Sequence, residues 1–193
     1  VLDSMKSGAN RISTIVKSLR TFSRLDEADM KKADIHECLD STLLLLENRL
    51  QTQNNNIQII KQYGNVPKFE CYPSQLNQVF MNTINNAIEA LESLENGDTN
   101  REKIIRITTE VIDAQKVAIH ITDNGPGIAP DVLSRLFDPF FTTKPIGKGT
   151  GLGLSISYQI VVERHRGDLR CISTPGESTE FIIELPLSRP QGS

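Results

Sequence analysis

The sequence predicts an α+β fold: one mixed, mainly antiparallel sheet with its helices on one face. Two of the observations behind this are hairpins. Residues 104–109 and 117–122 are β-rich runs either side of Asp113-Ala114-Gln115, and residues 169–173 and 180–187 flank Pro175-Gly176. The third is the element order. Strand, helix, strands, helix, hairpin, helix, hairpin lacks the strict alternation of a doubly wound sheet.

Taken in order, Leu2, Met5, Ala9, Ile12, Val16 and Leu19 recur in steps of three and four, which predicts one long helix over residues 1–25 packing against other helices. The segment 1–27 forms one unit, 28–33 a linker, 34–187 the main domain and 188–193 a tail. Residues 34–36 read as a short strand and 37–51 as a helix around Leu43-Leu44-Leu45-Leu46, broken by Asn54-Asn55-Asn56. A strand follows over 57–61, then a Gly64-Asn65-Val66-Pro67 turn and an extended piece over 68–71. Pro73-Ser74 opens a helix to about residue 94, because proline is tolerated in a first turn. After the first hairpin come a short helix over 130–136, a loop over 137–149, a helix over 151–165 and the closing hairpin.

The chain has 193 residues, 38% of them hydrophobic, enough for one domain with an appendage. Lys and Arg number 21 against 24 Asp and Glu, and no basic block stands out, which argues against a nucleic-acid partner. Cys38, Cys71 and Cys171 are far apart and in no Cys-x-x-Cys pair, so neither a disulfide framework nor a zinc site is indicated. There is no apolar run of about 18 residues and no signal-peptide pattern. A soluble, cytoplasmic piece of a longer protein is expected, with any membrane or sensor parts elsewhere in the parent.

Function concentrates in three places. Asp123 closes a strand and is held by the turn Asn124-Gly125-Pro126-Gly127; an ionised carboxylate only accepts hydrogen bonds and suits an exocyclic amine, although turns use Asp and Gly anyway. Gly147, Gly149, Gly151 and Gly153 fall at every second position beside Lys144 and Lys148, a pattern that lets backbone N–H groups approach an anion while lysines act as point charges. Asn82 and Asn86 share one helix face, where an amide oxygen is acceptable to Mg²⁺; Asn85 falls on a different face and reads as merely polar. Two phosphate motifs are excluded by the letters. A Walker loop needs glycine where Thr142 stands and Ser or Thr where Gly149 stands, and a dinucleotide fingerprint needs glycine at Leu154.

These residues resemble the ATP-binding domain of bacterial sensor histidine kinases, part of the GHKL superfamily with gyrase, a heat-shock chaperone and a mismatch-repair protein. Residues 78–90 resemble its N box, 123–128 its G1 box, 136–141 its F box and 147–154 its G2 box. Residues 175–181 resemble a G3-like ending, with Ser178 where a second glycine is usual. Residues 1–27, with Arg20-Thr21-Phe22-Ser23-Arg24, resemble the second helix of the preceding dimerisation domain.

The resemblance implies a two-layer α/β sandwich, the Bergerat fold, binding ATP (and ADP as product) between the N-box helix and a lid. Asp123 would take the adenine amine, with Thr179 helping through water, Ile128 walling the ring, and Gly125 and Gly127 shaping the turn. Asn86 would ligate Mg²⁺ and Asn82 support the phosphates. Phe137, Lys144, Lys148, Gly149, Thr150, Gly151, Leu152 and Gly153 would complete the site, with Phe137 and Phe140 pinning the lid. Hydrolases of the superfamily carry a water-activating glutamate where this chain has Asn82. A positioned base is worth about 10²–10⁴ in rate, so phosphoryl transfer to a histidine is expected instead. That histidine is not among His36, His120 and His165; His36 falls on the entry strand, His120 in a strand, and His165 at a helix end that favours a cation. It would lie on a dimerisation helix of a homodimeric parent, with a response regulator as the next acceptor.

Overall fold

The computed structural model describes residues 30–52, 55–94, 102–143 and 151–188. The helix expected over 1–25, the rest of the 1–27 segment and nearly all of the tail lie outside them. The elements are β1 (Lys31–Ala33), α1 (Ile35–Leu50), β2 (Gln51–Thr52), β3 (Asn55–Tyr63), β4 (Phe69–Cys71), α2 (Pro73–Glu92), β5 (Lys103–Ile112), β6 (Lys116–Asp123), α3 (Pro130–Leu133), α4 (Gly153–Tyr158), β7 (Asp168–Thr174) and β8 (Ser178–Pro186). The main sheet runs β2-β3-β5-β6-β8-β7. Among the described residues only β3 and β5 pair in parallel, since α2 returns the chain between them; the other pairings of the sheet are antiparallel.

Strand alternation builds the second layer. Ile105 and Ile107 on β5, Val117, Ile119 and Ile121 on β6, and Ile183 and Leu185 on β8 are fully buried. Over them lie Leu76, Val79, Phe80, Ile84, Ile88 and Leu91 of α2, none with any exposed surface, and Ile35, Leu39, Leu43 and Leu46 of α1. The opposite face carries Arg106, Glu110, Glu180 and the exposed Ile172. The expected two-layer architecture is the one observed.

Several local expectations are corrected. Residues 34–36 are not a strand: Asp34 is the N-cap of α1, its Oδ1 accepting from the His36 N–H at 3.0 Å. The strand lies just before, where Lys31–Ala33 pairs with Phe69–Cys71, so part of the supposed linker is built into the domain. The helix expected over 151–165 begins at Gly153, because Gly151 has φ +64° and cannot be its first turn. It continues as a π-helical segment, Gln159–Arg164. Pro130–Leu133 is a single turn, shorter than expected.

The π-helical segment ends on His165, and the cation expected there is reversed. His165 is buried, Nδ1 bonds the Ile160 carbonyl at 2.7 Å and Nε2 accepts from the Tyr72 N–H at 3.1 Å, which requires the neutral ring protonated on Nδ1. Burial lowers its pKa. The ring ties this segment to the entrance of α2.

Candidate functional site

Asp123 ends β6 opposite Thr179 of β8. It is 2% exposed, and its Oδ1 accepts from the Gly125 N–H at 2.8 Å. Burial pushes its pKa up to about 6, the Gly125 hydrogen bond partly opposing this. A Cβ at Gly125 would stand 2.5 Å from Asp123 Oδ1 and push the carboxylate from this position. Gly127 has φ +71°, and a Cβ there would meet the Thr174 carbonyl oxygen at 2.3 Å. The turn is therefore packed between α2 and the β7–β8 hairpin.

Thr179 is buried, with its hydroxyl 3.0 Å from that of Ser173. Ser173 Oγ also accepts from the Ile128 N–H at 2.9 Å and donates to the Ser178 carbonyl. One serine thus joins the Ile128 segment to the Thr179 strand. Asp123, Gly127, Ile128 and Thr179 line a cavity of about 660 Å³, with Ala90, Val132, Leu136 and Phe181 supplying apolar surface.

A second cavity of about 310 Å³ is lined by Asn82, Asn85, Asn86, Thr142, Thr143, Gly151 and Gly153. The two share Arg49, Asn86, Glu89, Val132, Leu136, Thr143 and Leu154, and so form one cleft along α2. Asn86 stands between the halves and makes no side-chain hydrogen bond within the described residues. Asn82 is otherwise engaged: its Nδ2 donates to the Gly153 carbonyl at 2.8 Å and to Ser157 Oγ at 3.1 Å, bracing α2 against α4. Its Oδ1 is the atom left for a ligand.

Gly151 is tied to Phe140. The Phe140 N–H donates to the Gly151 carbonyl at 2.9 Å, and a Cβ on Gly151 would meet the Phe140 carbonyl carbon at 2.5 Å. Phe137 packs on the core with its ring 5.5 Å from that of Tyr158, but Phe140, expected to pin the lid, is 74% exposed. Leu152 is the N-cap residue of α4, and Leu152, Gly125 and Phe137 line neither cavity. Lys144, Lys148, Gly149 and Thr150 lie outside the described residues.

The three histidines are occupied. His36 stacks on Tyr63 and bonds Thr109 Oγ1 at 2.8 Å, while His120 lies on the outer sheet face 3.0 Å from Glu180. Among the described residues no cluster of three or more His, Cys, Asp or Glu side chains could hold a metal ion. A cation in the cleft would take one amide oxygen and complete its sphere from ligand and water oxygens, a pattern suited to Mg²⁺. Asn86, which lines both cavities and makes no side-chain hydrogen bond among the described residues, fits that need.

Sequence reasoning missed Arg49, Glu89 and Ser173, and it misplaced Asn85, which lines the smaller cavity. Ser173 left no signal beyond being polar on an edge strand. Arg49 sits at the end of a different helix, and only the packing of α1 on α2 brings it to the cleft.

Comparison with known proteins bears on the same residues. The family described as "Histidine kinase-, DNA gyrase B-, and HSP90-like ATPase" matches residues 71–189. Sporulation kinase E of Bacillus subtilis (strain 168) is 33% identical over 181 residues, covering 94% of this chain and 23% of the relative. The chain thus spans about a quarter of that protein's length. The nucleotide-free catalytic domain of histidine kinase ThkA superposes with a TM-score of 0.69 at 29% identity, covering 83% of this chain and 99% of that one. Histidine kinase ThkA in complex with response regulator TrrA gives 0.67 at 25% identity, covering 98% of this chain and 51% of that one.

Proposed function

The chain belongs to the histidine kinase-, DNA gyrase B- and HSP90-like ATPase family, and from that premise we propose that it is the ATP-binding catalytic domain of a two-component sensor kinase, passing the γ-phosphoryl group of ATP to a histidine on a dimerisation helix. Its relatives include proteins named sporulation kinase, signal transduction histidine-protein kinase and sensor histidine kinase, and its structural neighbours include histidine kinase catalytic domains. One observation carries the reading. The cleft has a buried acceptor, Asp123, at one end, and at the other the α2 position where hydrolases of the superfamily carry a glutamate holds the carboxamide Asn82, whose Nδ2 is spent on bracing.

Asp123 accepts the adenine amine, Thr179 flanks it and Ile128 covers the ring. The phosphates extend along α2 toward Asn82, Asn86, Gly151 and Gly153, with Lys144, Lys148, Gly149 and Thr150 supplying further contacts from the lid. Mg²⁺, held through Asn86, would neutralise charge on the phosphate oxygens. The protein's own part is positioning and electrostatics, as phosphoryl transfer requires. A response regulator, the partner named for ThkA, is the expected next acceptor, and a homodimeric parent would supply the acceptor helix.

A second reading, an ATP hydrolase or clamp, has one observation in its favour: Glu89 is a carboxylate lining both halves of the cleft. The two separate on incubation with ATP and a dimerisation helix bearing a histidine. The kinase reading expects acid-labile phosphate on that helix and little free phosphate without it. Substantial turnover by the chain alone, abolished by Glu89→Gln, would establish the hydrolase instead. Asn86→Ala is expected to remove the Mg²⁺ dependence of ATP binding, and titrations with and without Mg²⁺ that still differ would sink Asn86 as the ligand.

A further inference from the structure

Among the described residues, Arg49 is the one cation lining either half of the cleft, and it lines both. It stands in the last turn of α1, outside every loop expected to bind phosphate. Glu89 also lines both halves, and Asp123 and Glu92 line the larger one. Without Arg49 the described walls would present only negative formal charge to a polyphosphate.

We propose that Arg49 is a nucleotide-binding residue whose guanidinium engages the polyphosphate, released for this from Glu92. The proposal rests on the ATP-site reading and deepens it. Arg49 Nη1 donates to Asn85 Oδ1 and Nη2 to Glu92 Oε2, both at 2.8 Å. A guanidinium has five donors, so these two bonds leave others for a ligand. The bond to Asn85 holds the group over α2 beside Asn82 and Asn86. The pair with Glu92 is solvent-exposed, at 41% and 38%, and such pairs contribute little. A multiply charged phosphate chain is the stronger partner for a planar fork of donors. Asn85 acts on this view through Arg49, as a positioning residue.

The test compares ATP and adenosine binding, by calorimetric titration, in the wild type, Arg49→Gln, Arg49→Lys and Glu92→Gln. Arg49→Gln should weaken ATP by about three- to tenfold while leaving adenosine unchanged, and Arg49→Lys should recover part of the loss. Glu92→Gln should tighten ATP, because the competing carboxylate is gone. The ATP affinity of Arg49→Gln should also fall less steeply with salt. Equal ATP affinity in Arg49→Gln and wild type would overturn the proposal. So would equal losses for ATP and adenosine, which mark a structural brace, or weaker ATP binding in Glu92→Gln. A wild type that binds neither ligand would instead remove the ATP site itself, a failure separate from that of Arg49.

Discussion

Asp123 is held in a state that costs the free protein stability. Its pKa is raised from 3.8 to about 6 by burial, which corresponds to roughly 3 kcal/mol. A carboxyl whose folded pKa lies above its unfolded one contributes stability below the unfolded value and loses it as pH rises through the folded one, so at neutral pH the ionised group is a net cost. Asp123→Asn should therefore raise the melting temperature of the nucleotide-free protein at pH 7.5 and leave it nearly unchanged near pH 4. The same change should weaken ATP by about tenfold to a hundredfold, as expected for loss of a charged acceptor. An Asn variant no more stable at pH 7.5 would show that the carboxylate is better solvated than its burial indicates. This residue was legible in the sequence because a carboxylate closing a β-run before Asn-Gly-Pro-Gly leaves local marks. Arg49 was not: its role arises only where two helices distant in sequence meet.

At the scale of elements, Pro73-Ser74 located the start of α2 and β-rich runs around turn residues located both hairpins, while errors fell where one side chain decides the boundary. Asp34 turned an apparent strand into a helix start by accepting the His36 N–H. No letter pattern announced the π-helical segment, whose end is fixed by His165 gripping Ile160 and Tyr72. Because His165 is neutral with a lowered pKa, its contribution is complete above its unfolded value of 6.5 and is lost as pH falls below it. His165→Gln should lower stability at pH 7.5 yet flatten the decline between pH 7.5 and 5; an unflattened decline would assign the acid sensitivity elsewhere. The β5–β6 turn was correctly placed but is strained: Asp113 and Ala114 have φ of 53° and 56°. A left-handed conformation suits Gly far better than Ala. Ala114→Gly should gain about 1 kcal/mol, read as a higher urea midpoint at an unchanged slope. A midpoint that does not rise would mean the turn relaxes at no cost.

At the scale of the molecule, Asp123 and His165, two buried groups that bear on stability between pH 7.5 and 5, pull it in opposite directions on acidification, and ligand binding separates them. Between pH 7.5 and 5 the free protein loses the His165 contribution while the Asp123 penalty is relieved. Adenosine changes only the second, since its amine is a partner for the ionised carboxylate and none of its groups is a phosphate titrating in this range. Binding that prefers ionised Asp123 must weaken as the carboxylate takes up a proton. With a free-state pKa of about 6, affinity should halve near pH 6 and fall about tenfold by pH 5. The melting-temperature gain from a fixed adenosine concentration should shrink along the same curve, since ligand stabilisation follows the ratio of concentration to Kd. In His165→Gln the absolute melting temperatures should shift but that gain should follow the wild-type pH curve, because His165 ties α2 to the π-helical segment and lines neither cavity. A gain constant from pH 8 to 5 in the wild type would uncouple Asp123 from adenine recognition, and a changed pH curve in His165→Gln would mean the α2 entrance and the adenine pocket move together.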